Sequence, residues 1–171
     1  MLGRIWSGWR ASYLADAPAG VDPDVVDGSV FTRLLASGAP DEQTHVLHRG
    51  TEVFAILNIF PYTTGHLLVL PYREVADLAD LTPSETIELW STTTDAVETV
   101  RAAYSPDGMN VGLNLGRPAG GSVPTHLHVH VVPRWTGDSN FMSSIANTQT
   151  LPESLADSAT RLRAAWPSPA D

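Results

Sequence analysis

Cysteine and lysine are both absent from this chain of 171 residues, and it contains no long hydrophobic run. The absence of cysteine excludes disulfides and thiolate zinc sites, and it is compatible with the cytosol. The absence of lysine excludes the phosphate-binding loop in which a lysine reaches the phosphates. Because no apolar stretch approaches the ~20 residues of a membrane-spanning helix, we expect no membrane association.

Basic residues are scarce, with ten against 19 acidic ones, and the formal net charge is −9. This balance argues against a nucleic-acid-binding surface. It does not exclude a small polyphosphate ligand, because a local site can differ in sign from the whole chain. The N-terminus has no apolar core of a signal peptide, so we expect a cytoplasmic protein.

A segment at 126–132 alternates three histidines, His126, His128 and His130, with apolar residues. On a β-strand, alternate side chains share a face, so this pattern predicts three imidazoles on one face and an apolar face toward the core. Histidine can act as nucleophile, acid, base or anion donor near neutral pH. Two other interpretations stay open, namely ordinary half-exposed histidines and a metal site. We expect no tightly bound metal, because about 13 Å of strand separates the outer pair.

The order of predicted elements indicates an α+β fold. Strands are expected, in chain order, at 45–48, 52–57, 66–71, 109–115 and in the histidine segment. The strand at 66–71 is apolar almost throughout and should be central in the sheet. A single long helix interrupts the strands, which predicts an antiparallel sheet with that helix packed on it.

The long helix has a clear start. Thr82 is a good N-cap, Pro83 suits the first helical position, and Glu85 completes a capping box. Its spacing predicts an apolar face formed by Ile87, Trp90, Val97 and Tyr104. Shorter helices are expected at 31–36 and 151–166, and a glycine-rich loop at 116–125 leads into the histidine strand.

These elements suggest an irregular N-terminal extension at 1–28, a main domain at 29–146 and a C-terminal helix and tail at 147–171. His45 and His48 are interpreted as surface strand residues.

The histidine segment resembles the signature of the histidine triad (HIT) superfamily of nucleotide hydrolases and transferases. The resemblance extends, in order and spacing, to Asn58, 65–71, 110–121, Pro133-Arg134-Trp135 and Gly137-Asp138. Within the superfamily, the chain most resembles a bacterial branch of diadenosine tetraphosphate phosphorylases. This resemblance lies in the Gly120-Gly121-Ser122 loop, in Arg134-Trp135, and in an N-terminal stretch with Trp6, Arg10, Tyr13 and Leu14. The implied fold is a five-stranded antiparallel half-barrel sheet with one long packed helix and a C-terminal helix.

The resemblance agrees with the chemistry expected of the central histidine. His128 is the candidate nucleophile, attacking the α-phosphorus of a nucleotide to form a nucleotidyl-histidine. We expect the His126 carbonyl to hold its other ring nitrogen and set its tautomer. His130 would reach the phosphate oxygens or the leaving group, and His126 would support orientation or contact the phosphate chain. The resemblance adds His66 to the catalytic cluster as a fourth histidine.

The resemblance also implies positions for the substrate. Asn58 corresponds to a polar residue that contacts ribose, and an apolar slot for adenine is expected from Phe54, Leu57 and Leu68, with Ile56 beside them. The phosphate site is expected from Asn114, Gly121, Ser122 and Trp135. The glutamine that precedes the triad in fragile-histidine-triad proteins has no equivalent here, because Leu115 stands in its place.

The resulting hypothesis is phosphorolysis of diadenosine tetraphosphate to ATP and ADP, with inorganic phosphate as acceptor. One alternative is a dinucleoside polyphosphate hydrolase that gives AMP, and another is a non-catalytic nucleotide- or zinc-binding protein. We expect no tightly bound cofactor, with Mg²⁺ at most accompanying the polyphosphate. A homodimer is expected, or else a tetramer, with 109–115 and the Thr82 helix near the interface.

Overall fold

The computed structural model describes residues 28–138 and 152–167, and the predicted extension at 1–28 lies outside this part of the chain except for Gly28. The helices are α1 (Val30–Ala36), α2 (Asp41–Thr44), α3 (Pro83–Tyr104) and α4 (Leu155–Ala165). The strands are β1 (Val46–Arg49), β2 (Val53–Leu57), β3 (Leu67–Pro71), β4 (Gly108–Leu113) and β5 (Val129–Arg134). Short 3-10 turns lie at Leu78–Asp80 and Arg117–Ala119.

The strands form one antiparallel sheet in the order β1-β2-β3-β5-β4. The α+β prediction is confirmed, and β3 is the central strand as its apolar sequence indicates. No helix in the described ranges is long and apolar enough to cross a membrane.

Strand alternation divides the sheet into two differently covered faces. On one face, α3 and α4 pack against side chains that include Ala55, Val69 and Val131. On the other, α1 covers a smaller cluster that includes Phe54 and Leu68. Leu57 belongs to the first cluster, so the prediction that it lines an adenine slot with Phe54 and Leu68 is wrong. It differs from Phe54 by an odd number of strand positions and therefore points to the opposite face.

Helix α3 has the predicted start but only part of the predicted buried face, since Val97 and Tyr104 pack partly buried against the core. Thr82, Pro83 and Glu85 form the full capping box. However, Ile87 is 72% exposed and Trp90 is 45% exposed. The buried stripe consists instead of Glu85, Leu89, Thr92, Thr93, Ala96, Thr99 and Val100.

Threonine can line this stripe because its hydroxyl can bond within the helix. Thr93 donates to the carbonyl of Leu89 at 2.6 Å, and Thr99 donates to that of Asp95 at 2.7 Å. The remaining threonine surface is a methyl group, which packs on the sheet like a small apolar residue. A pattern that counts only large apolar residues therefore identifies only part of the buried face.

Helix α4 packs at the β1 edge of the sheet. Arg163 donates to the carbonyl of Val46 at 2.9 Å, and Trp166 stacks on the ring of His48 at 4.9 Å between centroids. His48 is therefore half-buried. His45 is also half-buried and precedes β1 with a left-handed backbone (φ 60°), so neither is a freely exposed strand residue.

Candidate active site

The four predicted histidines converge on the face of the sheet that α1 covers. Only His130 lies within a strand, because the regular pairing of β5 begins at Val129. His126 and His128 occupy the segment just before β5, and His66 immediately precedes β3. The prediction of a single strand through all three triad histidines is therefore too long. The rings of His128 and His130 are 4.9 Å apart and those of His66 and His130 are 5.2 Å apart.

His126 is fully buried, and both of its ring nitrogens are engaged. Its Nε2 lies 2.8 Å from the carbonyl oxygen of Pro71, and its Nδ1 lies 2.7 Å from Ser29 Oγ. A carbonyl only accepts hydrogen bonds, so Nε2 carries the proton and Nδ1 accepts from the Ser29 hydroxyl. Because both nitrogens have protein partners, the geometry favours the predicted orienting role of His126 over contact with a phosphate chain.

His128 has the arrangement that a nucleophile requires. Its Nδ1 lies 2.7 Å from the carbonyl oxygen of His126, so Nδ1 carries the proton. In the neutral ring this leaves the lone pair on Nε2, which has no hydrogen-bond partner among the described residues. Burial lowers the pKa of His128 below its ordinary value, and this outweighs the opposing effect of the bond to His126. The neutral, nucleophilic form is therefore favoured near neutral pH.

His66 and His130 form a hydrogen-bonded pair in which His66 is the donor. His66 Nδ1 accepts the backbone N–H of Tyr62 at 3.0 Å, and burial lowers the pKa of His66 to about 3, so the ring is neutral with its proton on Nε2. That Nε2 lies 2.9 Å from His130 Nδ1 and donates to it. A neutral His130 consequently carries its own proton on Nε2, which lies 3.3 Å from Asn114 Nδ2. Two donors cannot bond each other, so this tautomer requires the Asn114 amide to turn its Oδ1 toward His130.

A cavity of about 430 Å³ opens beside His130. Its lining comes from the loop before β3 and from β4 and β5, and includes Tyr62, Thr63, Asn110, Asn114, His130 and Arg134. Arg134 is held at its rim by a two-pronged ion pair with Asp138, at 2.6 and 2.8 Å, and by Asn110 Oδ1 at 3.0 Å. The guanidinium lowers the pKa of Asp138 to about 2. The Asp138 carboxylate and the apolar Val111, Leu113 and Val132 also line this space, so the surroundings of His130 are of mixed polarity.

The structure does not bring the four residues predicted to bind phosphate together at one place. Asn114 lies beside His130, whereas Ser122 is exposed on the loop after the Arg117–Ala119 turn. The backbone N–H of Gly121 is directed at the carbonyl of Gly116, at 3.4 Å, so it does not point at a ligand. Trp135 packs edge-on against Tyr104 at 6.4 Å between ring centroids and is not among the residues that line the cavity.

The residues predicted to bind the nucleotide also differ in position from the sequence prediction. Phe54 and Leu68 lie deep under α1 on the histidine face. Asn58 sits beside His66, with its Oδ1 accepting the N–H of Phe60 at 3.0 Å. Phe31, which the sequence analysis did not select, lies 5.5 Å from the rings of both His126 and His128.

Ser29 and Tyr62 are further site residues that sequence reasoning missed. The only local signal was that Ser29 could cap a helix, and a capping role says nothing about a partner 97 positions away. Over residues 28–138 and 152–167, no group of three or more His, Asp or Glu side chains could hold a metal ion. The expectation of no tightly bound cofactor stays a prediction.

The HIT domain profile matches residues 39–137, which includes all four histidines. This chain belongs to the HIT family. It is 44% identical to the AP-4-A phosphorylase of Mycobacterium tuberculosis over 167 residues, covering 96% of this HIT protein and 85% of that one. It is 37% identical over 95 residues to the asymmetrical bis(5'-nucleosyl)-tetraphosphatase of Schizosaccharomyces pombe, covering 56% and 52% of the two chains.

The HIT fold is also evident among solved structures. A zinc-bound histidine triad family protein from Mycobacterium smegmatis superposes with a TM-score of 0.65 at 29% sequence identity. The superposition covers 81% of this chain and 92% of the other. The predicted half-barrel sheet with a long helix and a C-terminal helix is therefore confirmed.

Proposed function

We propose that this HIT protein cleaves diadenosine tetraphosphate by phosphorolysis, giving ATP and ADP. The observation that carries this proposal is that two adjacent imidazoles present opposite groups, one a lone pair and the other a proton. His128 offers an Nε2 lone pair, and His130 offers an Nε2 proton toward the cavity. The similarity to the mycobacterial phosphorylase over nearly the whole chain supports the choice of substrate.

In the first half of the reaction, His128 Nε2 attacks the α-phosphorus. The bond from that phosphorus to the bridging oxygen breaks, and ATP leaves. The hydrogen bond or proton from His130 stabilises the charge that develops on the leaving oxygen. The adenylylated His128 ring is cationic, and its Nδ1–H remains bonded to the His126 carbonyl at 2.7 Å, which stabilises this charge.

In the second half, inorganic phosphate attacks the same phosphorus and releases His128, giving ADP. An in-line displacement brings the acceptor in opposite the His128–phosphorus bond, so it enters where the bridging oxygen of ATP left. Leaving group and acceptor therefore share the cavity beside His130. Asn114 beside His130 and the Arg134 guanidinium supply donors for a phosphate anion in this cavity, which Asp138 and the apolar Val111, Leu113 and Val132 also line.

Hydrolysis is the second candidate, favoured by the similarity to the Schizosaccharomyces pombe tetraphosphatase. The two reactions share the adenylyl-histidine and differ only in the acceptor. Chromatography of the products of diadenosine tetraphosphate, with and without added phosphate, separates them. We expect ATP and ADP, at a rate that rises with phosphate concentration. AMP and ATP at a rate indifferent to phosphate would assign the protein to the hydrolases, and no cleavage at all would reject both.

A further inference from the structure

The N-terminus of α1 reaches the first triad histidine through a serine outside the matched HIT region. Ser29 precedes residue 39, where that match begins, yet its hydroxyl lies 2.7 Å from His126 Nδ1. Both groups are buried, with Ser29 6% exposed and His126 fully enclosed. A buried polar pair of this length is a specific contact and not a chance encounter at the surface.

The direction of this hydrogen bond follows from its neighbours. His126 Nε2 must donate to the Pro71 carbonyl at 2.8 Å, so in the neutral ring Nδ1 has only a lone pair to offer. The Ser29 hydroxyl therefore gives its single proton to His126. As the N-cap of α1 its oxygen also accepts the backbone N–H of Thr32 at 3.2 Å. One hydroxyl thus joins the helix start to the triad.

A carboxylate holds this serine in place. Glu74 Oε2 accepts the backbone N–H of Ser29 at 2.6 Å and the Thr32 hydroxyl at 3.1 Å. Glu74 follows β3 by three positions, shortly after Pro71, whose carbonyl binds the other side of the His126 ring. The His126 ring is therefore fixed on both edges by groups tied to the end of one strand.

We propose that Ser29 is a positioning residue for the nucleophile. Its hydroxyl fixes the His126 ring and backbone, and the His126 carbonyl in turn holds Nδ1–H of His128 at 2.7 Å. Docking of α1 thereby sets the orientation and tautomer of His128. Only the expected effect on kcat rests on the proposed function; the positioning of His128 by Ser29 does not.

The variant must separate this role from ordinary helix capping, because Ser29 does both. Glycine is nearly as good an N-cap as serine. Ser29→Gly therefore keeps most of the cap while removing the hydroxyl, and Ser29→Thr keeps both. Ser37→Ala is the matched control, because Ser37 is an exposed hydroxyl at the opposite end of the same helix, bonded to the Leu34 carbonyl.

We expect Ser29→Gly to lower kcat for diadenosine tetraphosphate by roughly 10- to 100-fold, the order of loss that a small misplacement of a reacting group causes. KM should change less than about twofold, since Ser29 does not touch the substrate. Ser29→Thr should retain most of the activity, and Ser37→Ala all of it. An unchanged kcat in Ser29→Gly, or an equal loss in Ser29→Thr, would overturn the inference.

A second measurement does not depend on turnover. Nitrogen-15 NMR of the imidazoles in the wild type should show His126 protonated on Nε2 and His128 on Nδ1. In Ser29→Gly at least one of these rings should shift toward a tautomer mixture, while Ser37→Ala keeps the wild-type signals. Unchanged spectra in Ser29→Gly would contradict the inference. A wild type that shows these tautomers but leaves the tetraphosphate intact would refute the proposed function alone.

Discussion

Among single residues, His128 has the arrangement that makes the sharpest prediction. Its Nδ1–H is bonded to the His126 carbonyl, which leaves the Nε2 lone pair of the neutral ring for the proposed attack. His128→Gly should lower turnover by roughly 10³-fold or more, because the covalent step disappears. Binding of a non-cleavable analogue should survive, measured by calorimetry.

A matched control is His48→Ala, which removes a histidine that stacks on Trp166 outside the site. It should leave kcat within about twofold of the wild type. Retention of more than about a tenth of wild-type activity in His128→Gly would refute the covalent assignment.

The titration of His128 gives a second prediction at this scale. Burial lowers its pKa below 6.5, so the neutral nucleophile persists to a lower pH than in free histidine. In a two-step transfer, kcat/KM for the tetraphosphate reports only the first half of the reaction. It should fall on the acid side with an inflection below 6.5. An inflection at or above 6.5 would contradict this.

The catalytic residues illustrate what sequence reasoning can reach. Their alternation predicts a shared face, and the contact from His128 to the preceding histidine's carbonyl depends only on neighbouring residues. The enclosure of His126 could not be predicted, because its partners Ser29 and Pro71 lie 97 and 55 positions away. Likewise, Ser122 and Trp135 follow the family's order along the chain, but neither lines the cavity beside His130.

At the scale of elements, the start of α3 is held by Glu85. Its carboxylate accepts from the backbone N–H of Thr82 at 2.8 Å and from Arg73 at 2.6 and 2.9 Å, and it is 4% exposed. Glu85→Ala should lower the free energy of unfolding by about 2 kcal/mol, the order expected on losing hydrogen bonds to a buried charged acceptor. Urea denaturation measures this change.

Glu98→Ala is the control for this prediction. Glu98 pairs with Arg101 one turn away on the exposed face of the same helix. Its loss should cost less than about 0.5 kcal/mol. Equal losses in the two variants would show that the capping box does not stabilise the start of α3.

Helix α3 also shows where pattern reasoning fails. Capping residues act within one turn, so its start is visible in the sequence. Its buried face depends on which side chains fit against the sheet, and threonine and alanine fit where α3 crosses it. Large residues such as Ile87 and Trp90 then remain on the outside.

For the molecule as a whole, the sheet order leaves β4 at one edge, with Val111 44% exposed. An edge strand with an apolar side chain is a liability unless another chain covers it. We propose that two copies pair through this region, and light scattering at micromolar concentration should give the mass of a dimer or tetramer.

Val111→Lys should shift this assembly toward monomers. Leu78→Lys is the control, because Leu78 is a partly exposed apolar residue, 37% exposed, in the Leu78–Asp80 turn. It should leave the mass unchanged. A monomeric wild type would contradict the proposal.

The most direct test of the account follows the adenylyl group itself. Protein mixed briefly with radiolabelled diadenosine tetraphosphate in the absence of phosphate should carry the label on the peptide that contains His128. After removal of free nucleotide, adding phosphate should discharge the label as ADP faster than water alone discharges it as AMP. Label on another residue, or discharge to AMP at a rate that phosphate does not change, would contradict phosphorolysis through His128.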